Sequence, residues 1–299
     1  MRHWLRRRLF HCAVSAAIGM LLTVSGSEAA AQQSAYSYTP VGYPGAKFTV
    51  IWDVNAAGDL VGAYRDAASN DMHGFLRRDG KFTSIDYPGA KSTTARGISQ
   101  SGDIVGSYSL PDTPDVAHGF LLTRQGRFTS VNAPGHTSTV AVRLLSDGSI
   151  IGCYHEAAPD AMRGMKLTQG KLSDLDRLNS MHTGATPDGK TIVGTYNDRT
   201  AGKSHGRSYV LNGTTFTPFD VPGSSTTSAQ DINAAGTIVG GYVVNGIGHG
   251  FVRERDVYTT LDVPGAASTG ANGIGDDGTV VGSFTDARGA TQGFVAKRK

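Results

Sequence analysis

Short runs in which apolar and polar side chains alternate, each ended by glycine or proline, fill the chain from Tyr38 to Lys299. Alternation at period two is the signal of a half-buried strand. Phe82–Asp86 alternates and stops at Pro88-Gly89, where proline presets φ and glycine accepts the left-handed region. Thr94–Ser99 and Asp103–Tyr108 flank Ser99-Gln100-Ser101-Gly102, and Ala117–Thr123 and Phe128–Val131 flank Arg124–Arg127, so two hairpins follow. The same order returns about every 44 residues, in six units that begin at Tyr38, Phe82, Phe128, Leu172, Phe216 and Tyr258.

Four antiparallel strands per unit predict an all-β fold, a six-bladed β-propeller of four-stranded blades spanning residues 38–299 as one domain. The phase of the units adds a closing device. The chain enters on an outermost strand, Tyr38–Gly42, and ends on a third strand, Gln292–Lys297. The N-terminal strand is therefore predicted to complete the last blade and close the ring, with residues 32–37 a disordered lead-in.

Composition narrows the alternatives. Of 299 residues 40 are Gly and 11 Pro, and only 18% are charged. Glycine spread along the chain costs a helical bundle about 1 kcal/mol per interior site, while Gly plus Pro stays below the level of low-complexity disorder. Met1–Arg8 carries Arg2, Arg6, Arg7 and Arg8, an apolar run follows to Val24, and Ala29-Ala30-Ala31 offers small residues, which reads as a signal peptide over residues 1–31. General export fits better than the twin-arginine route, because Arg6 and His11 depart from the twin-arginine core. The formal charge of +3 then belongs to the leader, since removing four arginines and Glu28 balances the signs. Nucleic acid and an anionic membrane surface lose their electrostatic case, and no membrane anchor remains after cleavage. Cys12 leaves with the leader, so Cys153 has no intramolecular disulfide partner.

Gly-x-Ile-Val-Gly-x-Tyr followed by His-Gly-Phe resembles the extracellular HAF repeat family across all the units. Intact His-Gly-Phe occurs at His73, His118 and His249; the other units read His205-Gly206-Arg207, Arg163-Gly164-Met165 and Gln292-Gly293-Phe294. The resemblance implies secretion and a repeat architecture and carries no reaction. Thr186-Pro187-Asp188-Gly189-Lys190 is also similar to the Pro-Asp-Gly-Lys turn of TolB-type propellers.

The recurring residues have structural readings. His73, His118, His205 and His249 lie on separate blades, too far apart for one metal ion, so each is read as a hydrogen-bonding residue of its own blade and no metal or cofactor is expected. Tyr64, Tyr108, Tyr154, Tyr196, Tyr242 and Phe284 end the second strands and read as packed aromatics, with a ring of sugar-stacking platforms as the other reading. Asp53, Asp231, Asp86, Asp220 and Asp262 recur in register and are assigned to turn and crossover hydrogen bonds.

Chemistry is sought where the symmetry breaks. The loops between second and third strands vary most and share a face with the Pro-Gly crossovers, and the third and fourth units depart from consensus. His136, His155, Glu156, Asp160 and His182, with Tyr154 and Tyr196, are the candidate ligand site. The chain is read as a monomeric secreted or periplasmic binding or scaffold module for a carbohydrate or protein partner. The alternative is a propeller hydrolase or lyase acting on a polysaccharide or lactone-like substrate at the axial opening.

Overall fold

The computed structural model describes residues 35–155, 162–173, 179–198 and 205–299. The predicted leader, Glu156 and Asp160 lie outside them.

Strand β1 (Tyr36–Val41) leads into six successive groups of strands. They are β2–β5 (Phe48–Val54, Leu60–Arg65, Met72–Arg78, Lys81–Ile85), β6–β9 (Ser92–Ile98, Ile104–Leu110, Thr113–Leu122, Phe128–Val131) and β10–β13 (Ser138–Leu144, Ile150–His155, Met162–Thr168, Lys171–Leu172). The others are β14–β17 (Ser180–Ala185, Thr191–Asp198, His205–Asn212, Thr215–Phe219), β18–β21 (Thr226–Ile232, Ile238–Val244, Ile247–Glu254, Val257–Leu261) and β22–β24 (Ser268–Ile274, Val280–Thr285, Thr291–Arg298). Tyr36 and Ser37, assigned to the lead-in from sequence, belong to β1.

Six separate four-stranded sheets were predicted; the structure has four, β6–β9, β10–β13, β14–β17 and β18–β21, and one sheet of eight strands. That larger sheet joins β2–β5 to β22–β24 through a single parallel pair, Phe48 with Thr291, and β1 lies antiparallel to β24 from Tyr36 opposite Arg298 to Val41 opposite Gly293. The merger arises because Thr291 donates its N–H to the carbonyl of Lys47, which draws one strand end onto another.

The first strand of each group packs on the first strand of the next: β2 on β6, β6 on β10, β10 on β14, β14 on β18, β18 on β22, and β22 on β2. Between successive sheets lie apolar clusters, such as Val61, Ile85, Ala95, Ile104 and Phe120. Phe75, Phe120, Phe251 and Phe294, from the third strands, are fully buried. The glycines beside them are explained by close approach: a Cβ on Gly62 would collide with the carbonyl of Val50 and stand 2.7 Å from the Phe75 ring.

Candidate functional site

Each first strand carries one bulge near its C-terminal end, between Ile51 and Asp53, Ala95 and Gly97, Ala141 and Arg143, His182 and Gly184, Ala229 and Asp231, and Ala271 and Gly273. A bulge leaves one residue unpaired and re-aims its neighbours. The residues just after the bulges are Asp53, Gly97, Arg143, Gly184, Asp231 and Gly273, so charge and glycine alternate around the cycle. The three charged side chains meet. Arg143 donates from Nε to Asp231 Oδ1 at 3.3 Å, places Nη2 3.0 Å from Asp231 Oδ2, and holds Nη1 3.7 Å from Asp53 Oδ2. It also donates to the carbonyls of Arg96 (2.9 Å), Trp52 (3.5 Å) and Asn272 (3.4 Å).

The alternation follows from space. A Cβ on Gly184 would stand 2.5 Å from Cα of Asp231, and one on Gly273 would stand 2.7 Å from the carbonyl of Trp52. Three charged side chains, one of them the long Arg143, meet at the axis, and the intervening positions must be empty. The carboxylates also satisfy backbone that the innermost strand edges would leave bare. Asp53 accepts the N–H groups of Val54 and Ile98, each at 2.8 Å, and Asp231 accepts that of Ile274 at 3.0 Å.

Burial of Asp53, opposed by the Arg143 charge, pushes its carboxyl from 3.8 up to about 6. Burial works against the Arg143 charge, but Asp231 and Asp53 outweigh it and hold the guanidinium above its ordinary value. The cluster is a charged plug: Arg143, Asp53 and Asp231 are all nearly inaccessible.

Above the plug opens a cavity of about 380 Å³, walled by Ser99, Gln100, Asp103, Ser146, Asn233 and Asp276 among others. These belong to the hairpin loops between first and second strands, at the opposite end of those strands from the Pro-Gly crossovers. Neighbouring loops are tied in pairs. Ala56 N–H donates to Gln100 Oε1 (2.9 Å), Ser146 Oγ to the carbonyl of Pro187 (2.7 Å), and Ala234 N–H to Asp276 Oδ1 (2.9 Å).

None of the described candidates His136, His155, His182, Tyr154 and Tyr196 lines this cavity. His182 is fully buried in β14, where the other units have Ala or Ile, and its Nδ1 is 2.5 Å from Tyr209 Oη. Tyr209 stands where Phe75 and Phe120 stand, so the extra hydroxyl in the core has found an extra imidazole. His136 instead lies over Tyr154, ring centres 4.1 Å apart. It takes the place that Tyr43 occupies on Tyr64 (3.5 Å) and Tyr87 on Tyr108 (3.6 Å), because Ala133 stands at the crossover tyrosine position. His155 pairs with Ser138 at the end of β11, and Tyr196 contacts Phe216 edge-on at 5.3 Å.

Among the motif histidines, His73 Nδ1 is 2.7 Å from Asp86 and His249 Nδ1 is 2.9 Å from Asp262. His73, His118 and His249 also stack on Tyr64, Tyr108 and Tyr242. For His118, Asn132 stands at the aspartate position and turns to Ser130. Phe284 packs against the cluster around Phe294. His205 requires a correction: strand pairing sets Gly194 opposite Tyr209 as it sets Gly62 opposite Phe75, so Arg207 and not His205 is the counterpart of His73. Arg207 fills the role, with Nε 2.8 Å from Asp220. Among the described residues no group of three or more His, Cys, Asp or Glu side chains could hold a metal ion.

Arg143 was not singled out by sequence reasoning. The signal was present as a column of the repeat reading Asp, Gly, Arg, Gly, Asp, Gly, of which only the aspartates were noticed.

No family model matches the chain, and no curated protein matches it. Solved structures do. The β-propeller domain of the Trilobed protease from Pyrococcus furiosus aligns with a TM-score of 0.53 at 12% identity over 85% of this chain and 95% of that one. TolB from Acinetobacter baumannii aligns at 0.52 and 12% identity over 81% of this chain and 64% of that one. A gluconolactonase from Xanthomonas campestris aligns at 0.50 and 11% identity over 88% and 95%. At such identities the likeness is one of fold, and the chain has an all-β propeller fold.

Proposed function

We propose that this chain is an exported binding module on a six-bladed propeller, and that its ligand, a hydroxyl-rich molecule of the carbohydrate class, enters the cavity above Arg143. The observation that carries the reading is the combination of an open cavity with a floor already satisfied by protein. Asp53 and Asp231 are engaged by backbone N–H groups and by Arg143, while the rim offers the hydroxyls, amides and carboxylates of Ser99, Gln100, Asp103, Asn233 and Asp276. Such a rim suits a ligand bound through many hydrogen bonds.

The six-blade count takes the eight-stranded sheet as two blades bridged at one residue pair, with β1 as the fourth strand of the last. Its support is the cycle of first strands and the pairing of β1 with β24. Export and HAF-type membership rest on the leader and the repeat motif in the sequence, and N-terminal sequencing of exported protein should begin at Gln32.

A glycan array followed by titration of the best neutral oligosaccharide tests the binding reading. Binding should be saturable, should leave the glycan chemically unchanged, and should disappear in S101W, which fills the cavity from its rim. Binding that survives S101W would overturn it. One observation favours the alternative of a hydrolase or lyase: a carboxyl at about 6 on the cavity floor has the value of a general acid. Product release from a polysaccharide or lactone, lost in D53N, would establish that reading instead.

A further inference from the structure

The bulge residues themselves, Trp52, Arg96, Val142, Thr183, Gln230 and Asn272, form a second layer at the axis, one residue nearer the crossover end than the charged plug. Most have internal partners. Asn272 Nδ2 donates to the carbonyl of Ile51 (2.9 Å), Thr183 Oγ1 to that of Ala229 (2.8 Å), and Gln230 Nε2 to Ser228 Oγ (2.7 Å).

Arg96 differs. Its guanidinium lies 4.0 Å from the centre of the Trp52 ring, and both its Nε and Trp52 Nε1 are buried without an acceptor. No carboxylate accompanies it in this layer. Cys153 would favour the Arg96 charge only as a thiolate, but burial pushes that thiol up to about 12 and it stays neutral at pH 7, which leaves Arg143, of like sign, as the charged group that acts on Arg96. Desolvation, aided by Arg143, lowers the Arg96 guanidinium to about 10. Trp52, Arg96, Gln230 and Asn272 remain partly exposed, so solvent reaches this layer. A half-buried cation with an unpartnered buried Nε and no counter-charge is unfavourable, and an arginine fork matches a carboxylate in two parallel hydrogen bonds.

We propose that this partly exposed layer on the crossover side of the plug is a site for a small carboxylate, taken by the guanidinium of Arg96 as it lies on Trp52. The site is separate from the cavity above Arg143, and it stands or falls independently of the ligand assigned there. Trp52 and Trp4 are the two tryptophans of the chain, so in the full chain carrying W4F the indole emission reports Trp52 alone.

Emission is titrated at constant ionic strength with sodium acetate, sodium galacturonate, sodium phosphate and neutral galactose. The expected result is a saturable change with acetate and galacturonate, none with galactose, and at least tenfold weaker binding in R96Q. R96K, which keeps the charge without the planar fork, should bind several-fold more weakly and supplies the reading if R96Q fails to fold. No saturable change with either carboxylate, an equal response to galactose, a response to phosphate alone, or unchanged affinity in R96Q or R96K would overturn the proposal.

Discussion

Replacing Arg143 by leucine tests the central feature of the molecule. The substitution keeps bulk but removes the cation that faces Asp231 at 3.0 Å and Asp53 at 3.7 Å, together with the donors to four carbonyls. Two carboxylates are left in a buried site, and breaking a buried ion pair from one side costs about 3–5 kcal/mol. For a domain of this size each kcal/mol moves the melting temperature by about 2–4 °C, so the loss at pH 8 should be on the order of 10 °C.

The pH dependence gives the sharper test. In the wild-type protein the Asp53 carboxyl lies at about 6 against 3.8 for an ordinary aspartate. The folded state therefore binds this proton more tightly than the unfolded chain. The resulting stabilisation is full below the unfolded value and is lost as pH rises through the folded one. Without Arg143 the lowering influence on Asp53 is gone and its folded value rises further, so that carboxyl is neutral at pH 5 and gains its unfavourable charge as pH rises toward 8. Urea denaturation of R143L should show the larger deficit at pH 8, and R143L/D231N should recover part of it. A deficit under about 1 kcal/mol, or one equal at both pH values, would refute the account.

G97A should lower the melting temperature by several degrees, because the added Cβ collides with the carbonyl of Val142 and stands 3.2 Å from Cα of Arg143. H182A and Y209F should each destabilise, while the double variant, which restores the alanine and phenylalanine of other units, should be more stable than the sum by at least about 1 kcal/mol in a double-mutant cycle. Additive effects would show that the 2.5 Å contact carries nothing. Beginning the chain at Tyr43 removes β1 and uncovers the edge of β24, so calorimetry should show a melting temperature lower by several degrees; an unchanged curve would show that the pairing contributes no stability.

The strands, their hairpins and the packed aromatics were legible in the alternating runs, because a hairpin is set by a few neighbouring residues. Gly58, Gly102 and Gly236 have φ of 79°, 88° and 81°, the left-handed value that their place in a short loop requires. Phe128–Val131 was delimited without error for the same reason. His205 was misplaced because a shift of two residues keeps a strand's faces unchanged, and alternation cannot detect it. Only the pairing of β15 with β16 sets Arg207 opposite Tyr196.

The site depends on longer distances. Asp53, Arg143 and Asp231 are separated by some 90 residues each along the chain, and nothing local in their segments says that they touch. Their meeting requires the first strands to form a cycle around one axis and each to bulge at the same level. The sequence thus carries the repeating unit, whose folding rules are local, while the charged plug, the empty glycine positions between its members and the lone cation beneath it exist only once the units face one another across the axis.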